Sequence, residues 1–351
     1  ALSGGQKQRT SLAGVMIDDV DILLFDEPLA NLDPATGKTA IEIIDDIHQK
    51  YKKTIVIIEH RLEDVLHRHV DRVIVVNEGR IIADMNAHDL VSSDVLTSNG
   101  IREPLYVTAL KYAEVKVTAA MQPGYIWSLD TRGVNEALRQ WNRMVPPAPE
   151  NPPRPMLLGI KDLSFSYDGV RQTLADINIA IHEGEMLSIV GKNGAGKSTL
   201  AKLLCGFEKL DKGAILYRGE DICHKSIKER AEFIGFVMQN PNQMISKNLI
   251  YDEIALGLRL RGVDEDEIRE RVEKVLAICG LTPFIEWPIS ALSYGQKKRV
   301  TIASILVLRP QILILDEPTA GQDYRHYSEI MEFLRLINET GISIILITHD
   351  M

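Results

Sequence analysis

Short apolar runs recur along the chain, and their pattern predicts the strands of an α/β fold. MLSIV at Met186–Val190 predicts a buried strand, and LAKLLCGF, which follows the glycine-rich stretch 191–199, has helical spacing. ILILD at Ile312–Asp316 predicts a strand that ends in a carboxylate, and ISIILIT before His349 predicts another. The apolar run Ile342–Ile347 is far shorter than the roughly 18 residues that would cross a bilayer. The pattern therefore predicts alternating strands and helices rather than a membrane span.

Three short motifs occur twice, and this repeat divides the chain into two related parts. The second copies follow the first by 290, 290 and 289 positions, an offset too constant to arise by chance. The pairs are LSGGQKQR (Leu2–Arg9) with LSYGQKKR (Leu292–Arg299), ILLFDEP (Ile22–Pro28) with ILILDEP (Ile312–Pro318), and IVIIEH (Ile55–His60) with IILITH (Ile344–His349). Residues from about 156 to 291 have no counterpart in the first copy. We therefore expect roughly 130 residues before Ala1 and a parent protein of about 500 residues or more.

The repeat and a proline-rich linker predict three regions. Residues 1–90 would be the carboxyl-terminal half of one domain, and 156–351 a second domain that stops after its histidine. Residues 91–155 would connect them, and Val145–Pro155 carries six prolines in eleven residues, which favours an extended spacer. IREPLYVTALKYA and VNEALRQWNRM within this segment have helical spacing. Neither patch suggests any chemistry.

Composition and charge narrow the class of protein. A chain that is 45% hydrophobic and 25% charged is neither disordered nor fibrous. Its net charge of −9 argues against a protein that coats nucleic acid. The cysteines, Cys205, Cys223 and Cys279, have no CxxC spacing and no nearby histidine pair. Reduced thiols in a cytosolic setting are therefore expected, without a zinc site or a disulfide framework.

GKNGAGKST at Gly191–Thr199 lies between the predicted strand and the predicted helix, in the arrangement of a phosphate-binding loop. Glycines let the backbone turn tightly and approach a phosphate chain, and loop amides with the helix N-terminus present N–H donors. Lys197 would place its charge against the β and γ phosphates, and the Ser198 hydroxyl would bind Mg²⁺. A plain glycine-rich turn is the alternative, and the flanking strand and helix argue against it.

Asp316 and Glu317 follow an apolar strand and are predicted to lie in the same crevice as the phosphate loop. Asp316 would hold magnesium, and Glu317 would act as general base for an attacking water. His349, after the next strand, would bind the γ-phosphate or orient that water. A solvated turn and an ordinary strand-end histidine are the alternatives. The repetition of the carboxylate pair and of the histidine in the first copy favours function.

Together these motifs resemble the nucleotide-binding domain of ABC ATPases. The LSGGQ-type signature beside the phosphate loop and the DEP strand is the decisive feature, since the loop alone occurs in many NTPases. The resemblance covers Met156–Met351 nearly completely, and Ala1 to about Met85 as a carboxyl-terminal half. It implies an ABC-type P-loop NTPase fold of the α/β class, repeated in tandem, with a mostly parallel sheet core and antiparallel and helical subdomains. It also implies hydrolysis of ATP, with Mg²⁺ as cofactor.

The resemblance further implies a role for individual residues. The catalytic residues would be Glu317 and His349, and Glu27 and His60 in the first copy. The magnesium ligands would be Ser198, Gln239 and Asp316. The ATP-binding residues would be an adenine-stacking Tyr167, the phosphate loop, the Q-loop glutamine and the two signatures: Gly191, Lys192, Asn193, Gly194, Ala195, Gly196, Lys197, Ser198, Thr199, Gln239, Ser3, Gly4, Gly5, Gln6, Ser293, Gly295 and Gln296.

The two copies depart from each other, so their ATP sites need not be equivalent. Tyr294 stands in the second signature where glycine is usual, which indicates that no glycine-only torsion is needed there. The second D-loop reads AGQD (320–323) against ANLD (30–33). Domains of this family pair head to tail, which implies that Ser3, Gly4 and Gly5 complete the site built by the second phosphate loop.

The resemblance implies transport as the function. QNPNQ at 239–243 looks like the energy-coupling-factor branch, whose ATPases serve uptake of vitamins, of precursors such as hydroxymethylpyrimidine or thiamine, or of metal ions such as cobalt. The implied partners are an energy-coupling transmembrane protein and a substrate-binding membrane component, with the ATPase peripheral on the cytoplasmic face of the cell membrane. A soluble tandem ATPase acting on ribosomes or nucleic acid is the alternative. The acidic charge and the proline-rich linker argue against it.

Overall fold

The computed structural model describes residues 10, 14, 20–30, 32–147, 153–319 and 324–349. The chain forms two compact units that divide near residue 151. Each unit has hydrophobic clusters of its own.

The elements of the first unit are β1 (Ile22–Asp26), α1 (Pro34–Tyr51), β2 (Thr54–Ile58), α2 (Leu62–Val65), β3 (Val73–Asn77), β4 (Arg80–Met85), α3 (Ala87–Ser92), α4 (Val95–Ser98), α5 (Leu105–Tyr112) and α6 (Val134–Met144). Those of the second are β5 (Met156–Phe165), β6 (Leu174–His182), β7 (Met186–Val190), α7 (Lys197–Cys205), β8 (Lys212–Tyr217), β9 (Glu220–Asp221), α8 (Ile227–Arg230), β10 (Ile234–Val237), α9 (Ile250–Leu260), α10 (Glu265–Ile278), α11 (Tyr294–Leu306), β11 (Ile312–Asp316), α12 (Tyr324–Glu339) and β12 (Ser343–Thr348).

A parallel sheet with strand order β10–β11–β12–β7 forms the core of the second unit. β11 and β12 are its inner strands, and side chains on both of their faces are buried, which explains their nearly continuous apolar sequences. The strands predicted at 312–316 and before His349 are therefore confirmed. The prediction that Met186–Val190 is buried is wrong, because β7 is an outer strand of this sheet and Val190 is 50% exposed.

An antiparallel sheet and a group of helices complete the second unit. The antiparallel strands have the order β6–β5–β8–β9, and they share a hydrophobic cluster with α7, including Leu158, Ile160 and Leu204. Helices α9, α10 and α11 contribute to a separate cluster on the other face of the parallel sheet. The predicted combination of a mostly parallel core with antiparallel and helical parts is confirmed.

Helix α11 begins directly after Ser293 and contains most of the second signature. Ser293 Oγ accepts from the Gln296 N–H at 3.3 Å, and Gln296 Oε1 accepts from the Ser293 N–H at 2.9 Å. This reciprocal pair is a capping box, which satisfies donors that a helix start leaves open. Tyr294 is the first helical residue and is not among the positive-φ residues, so no glycine-only torsion is needed there, as predicted.

In the first unit, β1 and β2 form a parallel pair, and α1 covers one face of it through Ile41 and Ile44. Asp33 starts α1 by accepting the Thr36 N–H at 3.1 Å. The other face carries the exposed side chains of Ile22 and Leu24.

Residues 87–144 pack within the first unit, around Val107, Leu110 and Tyr125. The two predicted helical patches are confirmed as α5 and α6. Residues 145–147 and 153–155 form no regular structure, and the rest of the proline-rich linker lies outside the described residues. The division into 1–90, 91–155 and 156–351 stays a prediction. Within the described ranges, no helix is both long and apolar enough to cross a membrane.

Candidate nucleotide-binding site

The carboxyl ends of the four parallel strands bring the predicted residues of the second unit to one edge of the sheet. Gln239 follows β10, Asp316 ends β11 and is followed by Glu317, His349 follows β12, and the phosphate loop follows β7. Parallel strands all end at the same edge, so residues far apart in sequence become neighbours there.

The phosphate loop folds back over the amine of Lys197. Its Nζ donates to the Gly191 carbonyl at 2.6 Å and to the Lys192 carbonyl at 3.3 Å. Gly196 has a φ of 96°, and a Cβ there would lie 2.7 Å from Leu174 Cδ2, so glycine is required. Gly191 has no positive φ, and a Cβ there would make ordinary contacts with Ala195 Cβ at 3.5 Å and Lys197 Cδ at 3.8 Å, so the expected tight turn is not found at this position. The expected close approach of this glycine to a phosphate stays a prediction.

The Asp316 carboxylate has the features expected of a magnesium ligand. Its Oδ1 is buried and has no hydrogen-bond partner. Burial raises the pKa of this carboxyl, while a hydrogen bond from Ser198 lowers it. A buried, unpaired carboxylate oxygen is costly, and a hard cation that prefers oxygen ligands would satisfy it. Asp316 and Ser198 therefore fit Mg²⁺.

Glu317 and His349 form a buried pair beside Asp316. His349 Nδ1 lies 2.7 Å from Glu317 Oε1, and the His349 N–H donates to Oε2 at 3.4 Å. Lys197 Nζ lies 3.9 Å from Oε1. Glu317 has a φ of 47°, a left-handed conformation that is strained for a non-glycine residue and often occurs at functional sites. The carboxylate is thus fixed among a lysine and a histidine, where it can accept a proton.

Tyr167 lies next to the end of the phosphate loop. Its hydroxyl is 3.3 Å from Thr199 Oγ1, and its ring packs edge-on against Phe165 with 56% of the residue exposed. A half-exposed ring at this place is available to stack on a planar base. Lys192, Asn193, Gly194 and Ala195 form the rest of the loop, and Gly194 has a φ of 80°.

Lys298 is the residue of this site that the sequence did not indicate. It is completely buried on α11, and its Nζ donates to the Gln239 carbonyl at 2.5 Å and to the Glu317 carbonyl at 3.2 Å. Burial lowers the pKa of its amine to about 8, opposed by the charges of Asp316 and Glu317. The sequence feature that could have indicated Lys298 is its difference from Gln8, the equivalent residue in the first copy of the motif.

Comparison with known proteins identifies the family that this chain resembles. A family model described as "ABC transporter" matches residues 174–320. The solved structure of CbiO1 from Clostridium perfringens, described as part of the ABC transporter complex cbiONQ, is 40% identical with a TM-score of 0.53. The match covers 56% of this chain and 79% of that one. The chain belongs to the ABC transporter ATP-binding family.

Other relatives of this family extend the comparison. An ATP-binding cassette of an ABC transporter in its ADP conformation, MJ1267, is 25% identical with a TM-score of 0.52, over 56% of this chain and 82% of that one. Curated relatives from Clostridium perfringens and Photobacterium profundum, both named "Putative ABC transporter ATP-binding protein", are 58% and 55% identical over 100% of this chain. The chain spans only 62% of the length of each. A second model, described as "ATP-binding cassette cobalt transporter", matches residues 93–165.

The remaining predicted site residues belong to other elements or lie outside the described residues. Ser293, Gly295 and Gln296 lie at the start of α11, where the capping box holds Ser293 and Gln296. Glu27 and His60 belong to the first unit, and His60 Nδ1 lies 3.9 Å from Glu27 Oε1. Ser3, Gly4, Gly5 and Gln6 lie outside the described residues, as does the second D-loop, so their predicted roles stay predictions.

Proposed function

We propose that the full-length protein hydrolyses ATP to energise solute uptake as the ATPase subunit of an energy-coupling-factor type ABC transporter. The observation that carries this proposal is the buried, unpaired Oδ1 of Asp316, which lies at the strand edge with Ser198 and Lys197. A carboxylate and a hydroxyl suited to Mg²⁺ and an ammonium suited to phosphate thus converge at the carboxyl ends of β7 and β11.

Each residue of the site would bind a different part of the nucleotide or its metal ion. Lys197 would exchange its two backbone carbonyl partners for the phosphates, whose negative charge attracts an ammonium more strongly. The amides at the start of α7 would donate to the same phosphates. Ser198 and Asp316 would hold Mg²⁺, with Gln239 as a further ligand, and the ion would neutralise charge on the phosphates. Tyr167 would stack on the adenine.

Glu317 would act as the general base. Its carboxylate is held by His349 and lies near Lys197, so it stands beside the predicted phosphate position and can accept a proton from the attacking water. Phosphate release by the full-length protein tests the proposal. We expect release from ATP with Mg²⁺ and none with excess EDTA. No release with Mg²⁺, with or without membrane partners, would overturn it.

We propose a divalent metal ion such as cobalt, or a vitamin or vitamin precursor, as the transported solute. The family model described as "ATP-binding cassette cobalt transporter", which matches 93–165, supports the metal ion. Vesicles containing the full-length protein with its membrane subunits should accumulate labelled Co²⁺, thiamine or hydroxymethylpyrimidine only when ATP is present on the ATPase side. Accumulation independent of ATP would contradict the proposal.

We propose that a membrane subunit contacts the second unit at a cavity of about 480 Å³ beside the Q-loop. The cavity is lined by the loop that follows Gln239, by residues 288–290 and by Lys297 of α11. An occupant would therefore touch both the Q-loop and α11, the helix that is hydrogen-bonded to Gln239 and Glu317. Its lining residues are Asn242, Ile245, Ser246, Lys247, Asn248, Pro288, Ile289, Ser290 and Lys297. Ser246→Trp, which would fill it, should reduce partner-stimulated phosphate release and spare the basal rate. Lys274→Trp, at an exposed position of α10 that does not line the cavity, should change neither.

A further inference from the structure

Two side chains of α11 reach the same backbone carbonyl of the Q-loop. Lys298 Nζ donates to the Gln239 carbonyl at 2.5 Å, and the Tyr294 hydroxyl donates to the same oxygen at a longer 3.4 Å. Residues four apart lie on one face of a helix, which is why both can converge there. Lys298 also donates to the Glu317 carbonyl at 3.2 Å. Helix α11 is therefore hydrogen-bonded both to the Q-loop, at the proposed magnesium ligand Gln239, and to Glu317, the proposed base.

These two residues are the ones that distinguish the second signature from the first. LSYGQKKR and LSGGQKQR differ only at Tyr294, which replaces Gly4, and at Lys298, which replaces Gln8. Gly4 has no side chain and so supplies no hydroxyl donor. Both positions at which the copies differ therefore carry, in the second copy, a side chain that donates to the same oxygen.

The burial of Lys298 supports a specific role. The residue is completely buried, and a buried ammonium is costly unless several partners compensate it. Here two carbonyls and the nearby charges of Asp316 and Glu317 do so. An apolar side chain would fill this space without that cost, but it could not make these two hydrogen bonds.

We infer that Tyr294 and Lys298 form a clasp that fixes the Q-loop at Gln239 to the signature helix, and that both are positioning residues for the nucleotide site. The functional part of this inference rests on the proposed function. A shift at the start of α11, where Ser293 lies, is passed to Gln239 through the clasp. In the second copy, the clasp thereby connects the signature to Gln239, the proposed magnesium ligand of the same copy. The first signature has Gly4 in place of Tyr294 and so lacks the side chain that donates the hydroxyl hydrogen bond.

Hydrogen exchange of the full-length protein without nucleotide tests the clasp. Lys298→Met removes the amine, and Tyr294→Phe removes only the hydroxyl. We expect exchange of the amide hydrogens in the segment 238–244, of which Pro241 has none, to rise roughly ten- to hundredfold in Lys298→Met and about two- to tenfold in Tyr294→Phe, while exchange in β7 is unchanged. Lys298→Arg, which keeps the donors, should restore much of the protection. Lys274→Met, on the exposed Glu270 pair of α10, is the matched control and should change nothing.

The outcomes separate the clasp from the proposed function. Unchanged exchange at 238–244 in Lys298→Met and Tyr294→Phe would overturn the clasp even if ATP is hydrolysed normally. If Lys298→Met does not fold, Tyr294→Phe decides alone. For the role in positioning, the Mg²⁺ concentration that half-saturates ATP binding should rise at least about threefold in Tyr294→Phe, with affinity for ATP in EDTA unchanged. An unchanged Mg²⁺ requirement would remove that role, and a wild type that binds no ATP would instead refute the proposed function.

Discussion

The two units contain the same strand pair in different surroundings. β1 and β2 pair in the register Ile22↔Thr54, and β11 and β12 in the equivalent register Ile312↔Ser343. In both pairs, the residue after the first strand donates its N–H to a carbonyl of the second strand. Glu27 donates to Ile58 at 2.9 Å, and Glu317 donates to Ile347 at 2.8 Å. Both glutamates have left-handed φ values, 45° and 47°. The two copies of the motif therefore share backbone conformation and strand pairing although their surroundings differ.

What differs is burial and closure of the site. Leu24 is 65% exposed, whereas its counterpart Ile314 is completely buried beside α7 and the antiparallel sheet. Those covering elements come from residues 156–291, which have no counterpart in the first part of this chain. The pair of Glu317 and His349 is buried and in hydrogen-bond contact, whereas that of Glu27 and His60 is partly exposed and 3.9 Å apart. A closed site thus requires the neighbouring elements in addition to the motif.

The largest effect should come from charging the face that differs between the units. In the full-length protein, Ile314→Asp should lower the free energy of unfolding by about 4 kcal/mol, because it buries an unpaired charge. If an equivalent covering segment exists in the full-length protein, Leu24→Asp should cost about as much. Chemical unfolding measures both, with Val170→Asp, at a 91% exposed position, as the control. A harmless Leu24→Asp would show that this face remains exposed.

The second prediction concerns the two glutamates. Glu317→Gln should slow phosphate release at least about 10²-fold while ATP binding persists, because the base is lost. Glu27→Gln should slow phosphate release less, because His60 Nδ1 lies closer to Glu59 Oε1, at 3.4 Å, than to Glu27 Oε1, at 3.9 Å. In the second unit the residue equivalent to Glu59 is Thr348, which has no carboxylate to compete with Glu317 for the histidine. Single-turnover measurements on the full-length protein compare them. Equal losses would show that the two sites are equivalent.

A smaller effect on stability is expected from substitutions in the phosphate loop, which in this chain lies in the second unit at 191–199. Gly196→Ala should lower the free energy of unfolding by about 1–3 kcal/mol, because of its positive φ and the close Leu174 side chain. Gly191→Ala should change it by less than about 0.5 kcal/mol, since its added methyl meets only an ordinary contact. Thermal unfolding of both variants provides the measurement. Reversed sensitivities would mean that the loop has another conformation.

Much of this arrangement could be predicted from the sequence, and the rest depends on distant contacts. Apolar runs and the constant repeat offset predicted the strands and the convergence of Asp316, Glu317 and His349, because parallel strands end at one edge. The exposure of β7 depends on its outer position in the sheet, which the run MLSIV does not encode. Lys298 was missed because its partners lie 59 and 19 positions away, beyond the reach of local periodicity.

Nucleotide binding to the full-length protein tests the central claim most directly, namely that the strand edge of the second unit holds Mg²⁺ with ATP. Lys197→Ala removes the amine at the centre of the loop, and charge-assisted bonds of this kind contribute about 1.5–3 kcal/mol. Equilibrium titration should therefore show a site whose affinity for ATP with Mg²⁺ falls roughly ten- to hundredfold. Unchanged affinity and stoichiometry in Lys197→Ala would contradict the account.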